Sequence, residues 1–369
     1  MHATARSKSS TRLQGKKLTV SDTPKLSVII ANYNYEKFVG AAIESVLSQD
    51  ENVQIIVVDD ASTDNSVDEI NRYADRIETI LLKENRGQGG GLNAGFEAAT
   101  GDLVMFLDAD DFLLPGGAKT ILANYQPGVA IYHYRMRYGD EDGGTFGTYP
   151  PVEKPLAEGN VSERLRTTGH YDGTVTSGLV FSREAALNVM PMDEETYRYG
   201  ADGYLCSTVP LYGESVTIST PMSAYRLHTR QHSQFSKVYA ERARWRLKHT
   251  MDRHNSTRQH AERLKLPVNP NLFDDDEFAL QERVVSMIIE PDKHPIEGDT
   301  LGLLLARSKA RKVEQAGGVK KIWEFVWWTS LQLAPRGLRI AMIKPAIDAD
   351  ARPRWFQAIG RFVKRLLRR

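Results

Sequence analysis

Short apolar runs, rich in β-branched residues, recur along the first part of the chain. Residues 26–31 (LSVIIA), 53–58 (VQIIVV), 77–82 and 103–107 (LVMFL) have the length and composition of buried strands. Between them the period changes. Phe38, Ala42, Ile43, Val46 and Leu47 recur at helical spacing, and Ser62, Thr63 and Asp64 offer caps ahead of Val67, Ile70 and Tyr73. A glycine loop leads into a helix over 92–99. This alternation predicts βαβ units and an α/β fold, a mainly parallel sheet flanked by helices. After Pro115 it loosens: 129–138 and 176–182 read as strands, 141–144 as a turn and 149–159 as a proline-rich loop. From about residue 234 the pattern is helical and polar. The chain thus divides into a leader (1–24), an α/β domain (25–233) and a helical C-terminal region (234–369).

Composition narrows the picture. With 369 residues, 41% hydrophobic and 26% charged, the chain is neither a disordered polyelectrolyte nor membrane-embedded. No stretch supplies the ~20 apolar residues of a membrane span. The leader is polar, lacks the apolar core of a signal peptide, and is expected to be disordered. A net charge of +1 gives the molecule no strong attraction to nucleic acid. The single cysteine, Cys206, excludes an internal disulfide framework and a four-cysteine zinc site, and fits a reducing, cytoplasmic compartment.

The charge is uneven. Residues 320–369 hold twelve Lys/Arg against Glu324, Asp348 and Asp350, a net of 12 − 3 = +9. Within them Trp355, Phe356, Ile359, Phe362, Val363, Leu366 and Leu367 fill a helical arc of roughly 140°. Arg354, Arg361, Lys364, Arg365, Arg368 and Arg369 fall outside it. A terminal helix of this kind is expected to dock on an anionic membrane surface, which places the protein peripherally on the inner face. Upstream, Ile322, Trp323, Phe325, Val326, Trp327 and Trp328 form an aromatic patch beside Lys320 and Lys321, too short to span and compatible with a place in the core.

Candidate chemistry sits at strand ends. Asp108 and Asp110, two residues apart on a strand, point to one face. Carboxylates held together repel unless a cation sits between them, and a hard divalent ion such as Mg2+ is the natural partner. An isolated Asp-x-Asp is as well explained by a solvated turn. Asp59 and Asp60, however, end a neighbouring strand in the same way. In parallel sheets ligands bind outside the carboxyl ends of the strands. Four carboxylates converging there without a ligand would be costly.

Taken in order, SVIIANYN (27–34), IVVDDASTD (56–64), NRG (85–87) with LNAG (92–95), FLDADD (106–111), SGLVFSR (177–183), GAD (200–202) and YRLH (225–228) resemble the family 2 glycosyltransferases. The resemblance covers roughly residues 25–230. It implies a GT-A fold, a nucleotide-sugar donor (most commonly UDP-linked), Mn2+ or Mg2+, and inversion at the anomeric carbon. A glycan or lipid-linked acceptor follows. Position by position, it implies that Asp60 hydrogen-bonds the nucleobase, with Asp59 its neighbour at the same strand end. The backbone around Ala31 and Tyr33 packs on base and ribose, Asp108 contacts ribose and donor, and Asp110 ligates the metal. His228 corresponds to a contact with metal or diphosphate, and Asp202 to the catalytic base. Asp111, on the opposite pleat and before a helix, is expected to be structural.

Two positions depart from the family pattern. Leu92 stands where an arginine often precedes the asparagine, here Asn93, so the charge contact to the donor there is either lost or supplied elsewhere, with Arg86 the candidate. Ala201 replaces the glutamate usually found before Asp202. Glu194 and Glu195 lie too early to be the base and are candidates for acceptor contacts. The missing glutamate is the one feature favouring an alternative function, a non-catalytic membrane-associated scaffold.

Other motifs carry less. Glu241-Arg242-Ala243-Arg244-Trp245 resembles the Gln-x-x-Arg-Trp motif of processive members. Glutamate replaces glutamine and the membrane helices are missing, so an amphipathic helix with a buried Trp245 is expected. His249, His254 and His260 lack metal-ligand spacing and are expected on a solvated helix; His232 has no motif support. The glycine loop at 87–91 gives no Gly-x-Gly-x-x-Gly register, because Leu92 and Ala94 occupy the third-glycine positions. It also follows the third strand, which argues against a dinucleotide-dependent oxidoreductase.

Overall fold

The computed structural model describes residues 24–49, 52–228 and 239–347. The leader through residue 23, His232 and the basic helix expected over 354–369 lie outside the described residues.

The first part of the chain runs β1 (Leu26–Asn32), α1 (Val39–Leu47), β2 (Val53–Asp59), α2 (Ser66–Asn71), β3 (Glu78–Leu81), α3 (Gly87–Ala98) and β4 (Leu103–Asp108). The middle runs β5 (Phe112–Leu113), α4 (Gly117–Ala123), β6 (Val129–Tyr134), β7 (Met136–Gly139), β8 (Thr145–Tyr149), α5 (Ser162–Thr168), β9 (Leu179–Ser182), α6 (Arg183–Ala186), α7 (Ala201–Thr208), β10 (Glu214–Ile218) and β11 (Ser223–Arg226). The rest is helical: α8 (Tyr239–Arg263), α9 (Leu272–Asp275), α10 (Glu277–Ile289), α11 (Leu301–Gln315), α12 (Gly318–Leu333) and α13 (Arg336–Ile347).

Seven strands form the central sheet in the order β10-β6-β9-β4-β1-β2-β3. All its pairings are parallel except those of β9, which runs antiparallel between β4 and β6. The sheet is covered on both faces, which is why its inner strands are nearly continuous apolar runs, broken by Ser27 and Gln54, which bond each other at 2.7 Å. Leu26, Val28 and Ile30 of β1 feed one core with α1, while Ile29 feeds the other with α3. Gly95 of α3 lets helix and sheet approach closely: a Cβ there would lie 2.3 Å from Ile29 Cγ2.

The region after Pro115 differs from expectation in detail. The strand expected over 129–138 is two strands parted at Arg135. β6 stays in the central sheet, while β7 joins a second, four-stranded sheet of order β5-β11-β7-β8. The segment 176–182 opens with a 3-10 turn, Thr176–Gly178, and only then becomes β9.

The helical region has its own core, built from Leu280, Val284, Ile288, Leu304, Leu305, Trp328 and Leu331. α8 lies between that core and α7. It overturns the solvated-helix expectation for its histidines, because both sides of α8 are packed. His254 and His260 are buried. His260 Nδ1 bonds the Tyr212 hydroxyl at 2.8 Å and His260 Nε2 the Tyr204 hydroxyl at 3.3 Å. Burial pushes His260 down to about 4 and His249 to about 3. Trp245 is the converse correction. It is 45% exposed, stacked on His249 with centroids 5.0 Å apart, because Ala243 and Leu247 take the buried face.

Candidate active site

The register of the parallel strands assembles the site. Ala31 pairs with both Val58 and Asp108, and Asn32 with Asp59, so three adjacent strands end at one level. Asp59 is buried and fully occupied. Its Oδ1 accepts the Ser62 amide at 2.8 Å, and its Oδ2 accepts Asn32 Nδ2 at 2.8 Å and the Ser62 hydroxyl at 2.7 Å. The loops after β1 and β2 are thereby locked together, with Asn34 and Ala61 held at φ of 60° and 59°. Non-glycine residues in that region persist only where the surroundings impose it.

Asp60 faces the start of α3. Its Oδ1 accepts the Arg86 amide at 2.6 Å and its Oδ2 the Gly87 amide at 2.8 Å. Burial raises its pKa, against the pull of those two amides. Tyr33, at the mouth of β1, is 38% exposed.

Arg86 and Asn93 are placed as braces. Arg86 forms a two-pronged ion pair with Glu194, Nε to Oε2 at 2.8 Å and Nη2 to Oε1. Asn93 donates to the Met192 carbonyl at 2.9 Å and to Glu194 Oε1 at 3.1 Å, and accepts the Met192 amide at 2.9 Å. Glu194, expected near an acceptor, is thus tied to Arg86, at the start of α3, and to Asn93 within it. Gln88 completes the brace: its Oε1 accepts the Gly200 and Ala201 amides, each at 3.0 Å, at the start of α7. Gly89 packs so tightly on this segment that a Cβ would lie 2.7 Å from the Tyr197 carbonyl oxygen.

After β4 the chain turns, the Asp111 amide donating to the Asp108 carbonyl at 2.9 Å. Carboxylate oxygens of Asp108, Asp110 and Asp111 gather within 4.8 Å of one another. Asp111 therefore belongs to the cluster and is followed by β5, not by a helix: the turn ends the strand's alternation. It is buried, with Oδ1 accepting the Arg226 amide at 2.9 Å and Oδ2 without a hydrogen-bond partner among the described residues. Burial, then the neighbouring carboxylates, drive the Asp108 and Asp111 carboxyls well up.

His228 reaches the cluster from the end of β11. Its Nε2 lies 2.9 Å from Asp110 Oδ2, and its ring rests on Phe38 at 4.5 Å and edge-on to Tyr35 at 5.9 Å. Asp202, in the first turn of α7, is half-buried and accepts the Gly203 amide at 2.9 Å. It faces the cluster closely enough to help raise the Asp108 carboxyl. Burial raises Asp202 itself, partly offset by the Gly203 amide and Arg253 of α8. α8 can come this close because Gly200 and Gly203 lack side chains; a Cβ on Gly203 would lie 2.4 Å from His249 Nε2.

Three features escape a reading of motifs. Arg226 is buried beneath the acids, donating from Nε to the Asp110 carbonyl at 2.8 Å and lying over the Phe38 and Phe112 rings at 5.3 and 4.8 Å. Its place beside His228 in the YRLH segment was the available signal. Gln88 lay hidden inside a glycine loop. The second sheet carries stacked rings, Tyr138 on Phe146 at 5.7 Å and Tyr149 on Tyr225 at 5.6 Å. These four residues are scattered in sequence and meet only through the pairing of β7, β8 and β11.

Residues 27–186 match the family model described as Glycosyl transferase family 2. An uncharacterized glycosyltransferase of Nostoc sp. is 37% identical over 211 residues, 55% of this chain and 65% of that protein. The GalNAc(5)-diNAcBac-PP-undecaprenol beta-1,3-glucosyltransferase of Campylobacter jejuni is 38% identical over 112 residues, 29% of this chain and 36% of its own length. The chain thus spans less than two thirds of either relative. Among solved structures, the mannosyltransferase PcManGT of Pyrobaculum calidifontis, in complex with GDP-Man and Mn2+, overlaps 87% of this chain and 84% of its own at 16% identity and a TM-score of 0.48, which adds nothing to the family match.

Proposed function

We propose that this chain, residues 27–186 of which match the model of glycosyl transferase family 2, moves a sugar, with inversion, from a nucleoside diphosphate donor to a hydroxyl of a glycan or lipid-linked acceptor. The observation that carries this reading is the meeting of Asp108, Asp110 and Asp111 within 4.8 Å at the strand ends, with Asp202 facing them from α7. The diphosphoundecaprenol acceptor in the Campylobacter relative's name supports the lipid-linked class. A UDP-sugar is the donor we favour.

Asp60 and the backbone at Ala31 and Tyr33 receive the nucleoside, Asp59 keeps their loops in place, and Arg86 and Asn93 hold the floor of that pocket against the Glu194 segment. Asp108 reaches the ribose side of the donor. Oxygen-rich carboxylates with one imidazole fit a hard divalent ion, and Asp110 with His228 would hold Mn2+ or Mg2+ beside Asp108 and Asp111. When bound, that ion supplies Lewis-acid stabilisation of the departing diphosphate. The acceptor oxygen forms a bond to the anomeric carbon from the face opposite the diphosphate, whose bond to that carbon breaks. The hydroxyl proton passes to the Asp202 carboxylate. Tyr138, Phe146, Tyr149 and Tyr225 wall the side from which the acceptor enters.

We place the chain in the cytoplasm, working at the inner membrane face, with 25–233 as the catalytic part and 234–369 as the helical region. Among the described residues no helix is long and apolar enough to cross a membrane. The test is Asp202→Asn. Transfer should be abolished while calorimetric donor affinity stays within about twofold, since the base acts on the acceptor. Loss of donor affinity together with turnover would remove Asp202 from the role of base.

A further inference from the structure

α12 has two apolar faces. One, with Trp328 and Leu331, is buried in the helical core. On the other, Val319 is 77% exposed, Ile322 67%, Trp323 52%, Val326 55% and Leu333 81%. At 100° per residue these five fall within an arc of about 100°, opposite the buried pair. Trp323 stacks on Trp327 with centroids 5.5 Å apart, which fixes the outward ring to the packed side of the helix. Folding within the described residues leaves this strip uncovered, and a contiguous apolar strip of this size marks an interaction surface.

The charge around the strip selects the partner. From Gly318 to Ile347 there are five Lys/Arg and one acid, Glu324. Glu324 is turned inward, accepting the Trp328 indole N–H at 3.1 Å. Lys320 is exposed beside one edge of the strip, and at the other edge Lys309 Nζ lies 3.9 Å from the centre of the Phe325 ring; Lys321 falls on the opposite side of the helix. The chain continues from here into residues 348–369, with seven Lys/Arg against two acids. An aromatic and aliphatic strip bordered by lysines, with no outward acid on its own helix, suits the boundary between headgroups and acyl chains of an anionic bilayer.

We propose that the outward face of α12 is a lipid-surface docking face: Val319, Ile322, Trp323, Val326 and Leu333 enter the headgroup region, and Lys309 and Lys320 meet anionic headgroups. The inference does not depend on the sugar-transfer chemistry, since its readout is partition rather than turnover.

The test is co-sedimentation of the full chain with vesicles of phosphatidylcholine alone and of phosphatidylcholine mixed with phosphatidylglycerol, at low salt. The variants are the triple Val319→Ser, Ile322→Ser, Val326→Ser and the double Lys309→Glu, Lys320→Glu. The unaltered chain should pellet with the anionic vesicles. The triple variant should partition at least about tenfold less while melting at the same temperature without lipid, and the double variant should lose its preference for phosphatidylglycerol. Three results would overturn the proposal. One is no binding by the unaltered chain, and another is equal binding by the triple variant. The third is a triple variant that melts lower or changes from dimer to monomer by light scattering, which would assign the face to residues 348–369 or to a second copy.

Discussion

Two buried histidine–carboxylate pairs in this molecule look alike and do opposite things. In the helical region His294 Nε2 lies 2.9 Å from Asp299 Oδ2. There Arg283 grips the same carboxylate with two nitrogens and reaches Asp274 at 2.6 Å, while His294 Nδ1 bonds the Ser286 hydroxyl at 3.0 Å. Burial pushes the Asp299 carboxyl up, and Arg283 and His294 outweigh it, holding it low. At the strand ends His228 lies the same 2.9 Å from Asp110. Two further carboxylates crowd in, and burial with mutual repulsion raises Asp108 and Asp111. The first network closes on itself. The second leaves a surplus of negative charge, the mark of a site whose balancing charge arrives with its ligand.

The largest expected effect breaks the open network. Asp110→Asn should cost several kcal/mol of transition-state stabilisation, about a thousandfold or more in rate, while the melting temperature holds or rises. Excess EDTA should act on the unaltered chain in the same direction. Retained transfer in either assay removes the metal from Asp110. In the closed network the signs reverse. Asp299→Asn should leave turnover per folded molecule unchanged and cost about 3–5 kcal/mol in chemical denaturation, because Arg283 loses its buried partner.

Donor binding is the next effect in size. Asp60→Ala should weaken it by about 1.5–3 kcal/mol, the range for hydrogen bonds to a charged group, and blur discrimination among nucleoside diphosphates. An unchanged preference among UDP, GDP and dTDP in a thermal-shift screen would confine Asp60 to holding the Arg86 and Gly87 amides.

The smallest effect concerns a third kind of buried histidine, one kept neutral. His260 is depressed by burial, and to a lesser extent by Arg263, from 6.5 to about 4. As pH falls through that window the unfolded chain takes up a proton that the folded one refuses, so stability falls. Below about 4 both states are protonated and the loss levels off. Melting curves between these limits should slope toward instability in acid, and His260→Gln should flatten part of that slope.

What the sequence reveals follows the range of the forces involved. Strands 26–31, 53–58 and 103–107 are legible because both faces of the central sheet are buried and nearly every position is apolar, the exceptions Ser27 and Gln54 bonding each other. Asp108 and Asp110 are legible because they end such a run. Asp111 misleads because pleat alternation holds only while a strand continues, and the chain turns at Ala109. Arg86 and Asn93 resemble donor contacts by motif; that both also meet Glu194 is not legible, because it lies about a hundred residues further on. The α8 histidines read as solvated because what covers them is distant in sequence: Gly200 and Gly203 beside His249, Gly169 beside His254, and Tyr204 and Tyr212 around His260. α12 reads as either core or lipid-facing because it has an apolar stripe on each side.

The brace between α3 and the Glu194 segment has a consequence for how this protein can be divided and recombined. The family match ends at residue 186. Glu194, Arg198 and the Gly200 amide, which meet Arg86, Asn85 and Gln88, all lie beyond it. A chimera joined at that limit would pair one protein's donor loop with another's counterpart and tilt the helix that carries Asp202. A safer exchange would carry the chain through at least Thr208 as one heritable part, because the start of α3 and the start of α7 are fastened to each other by side chains from both.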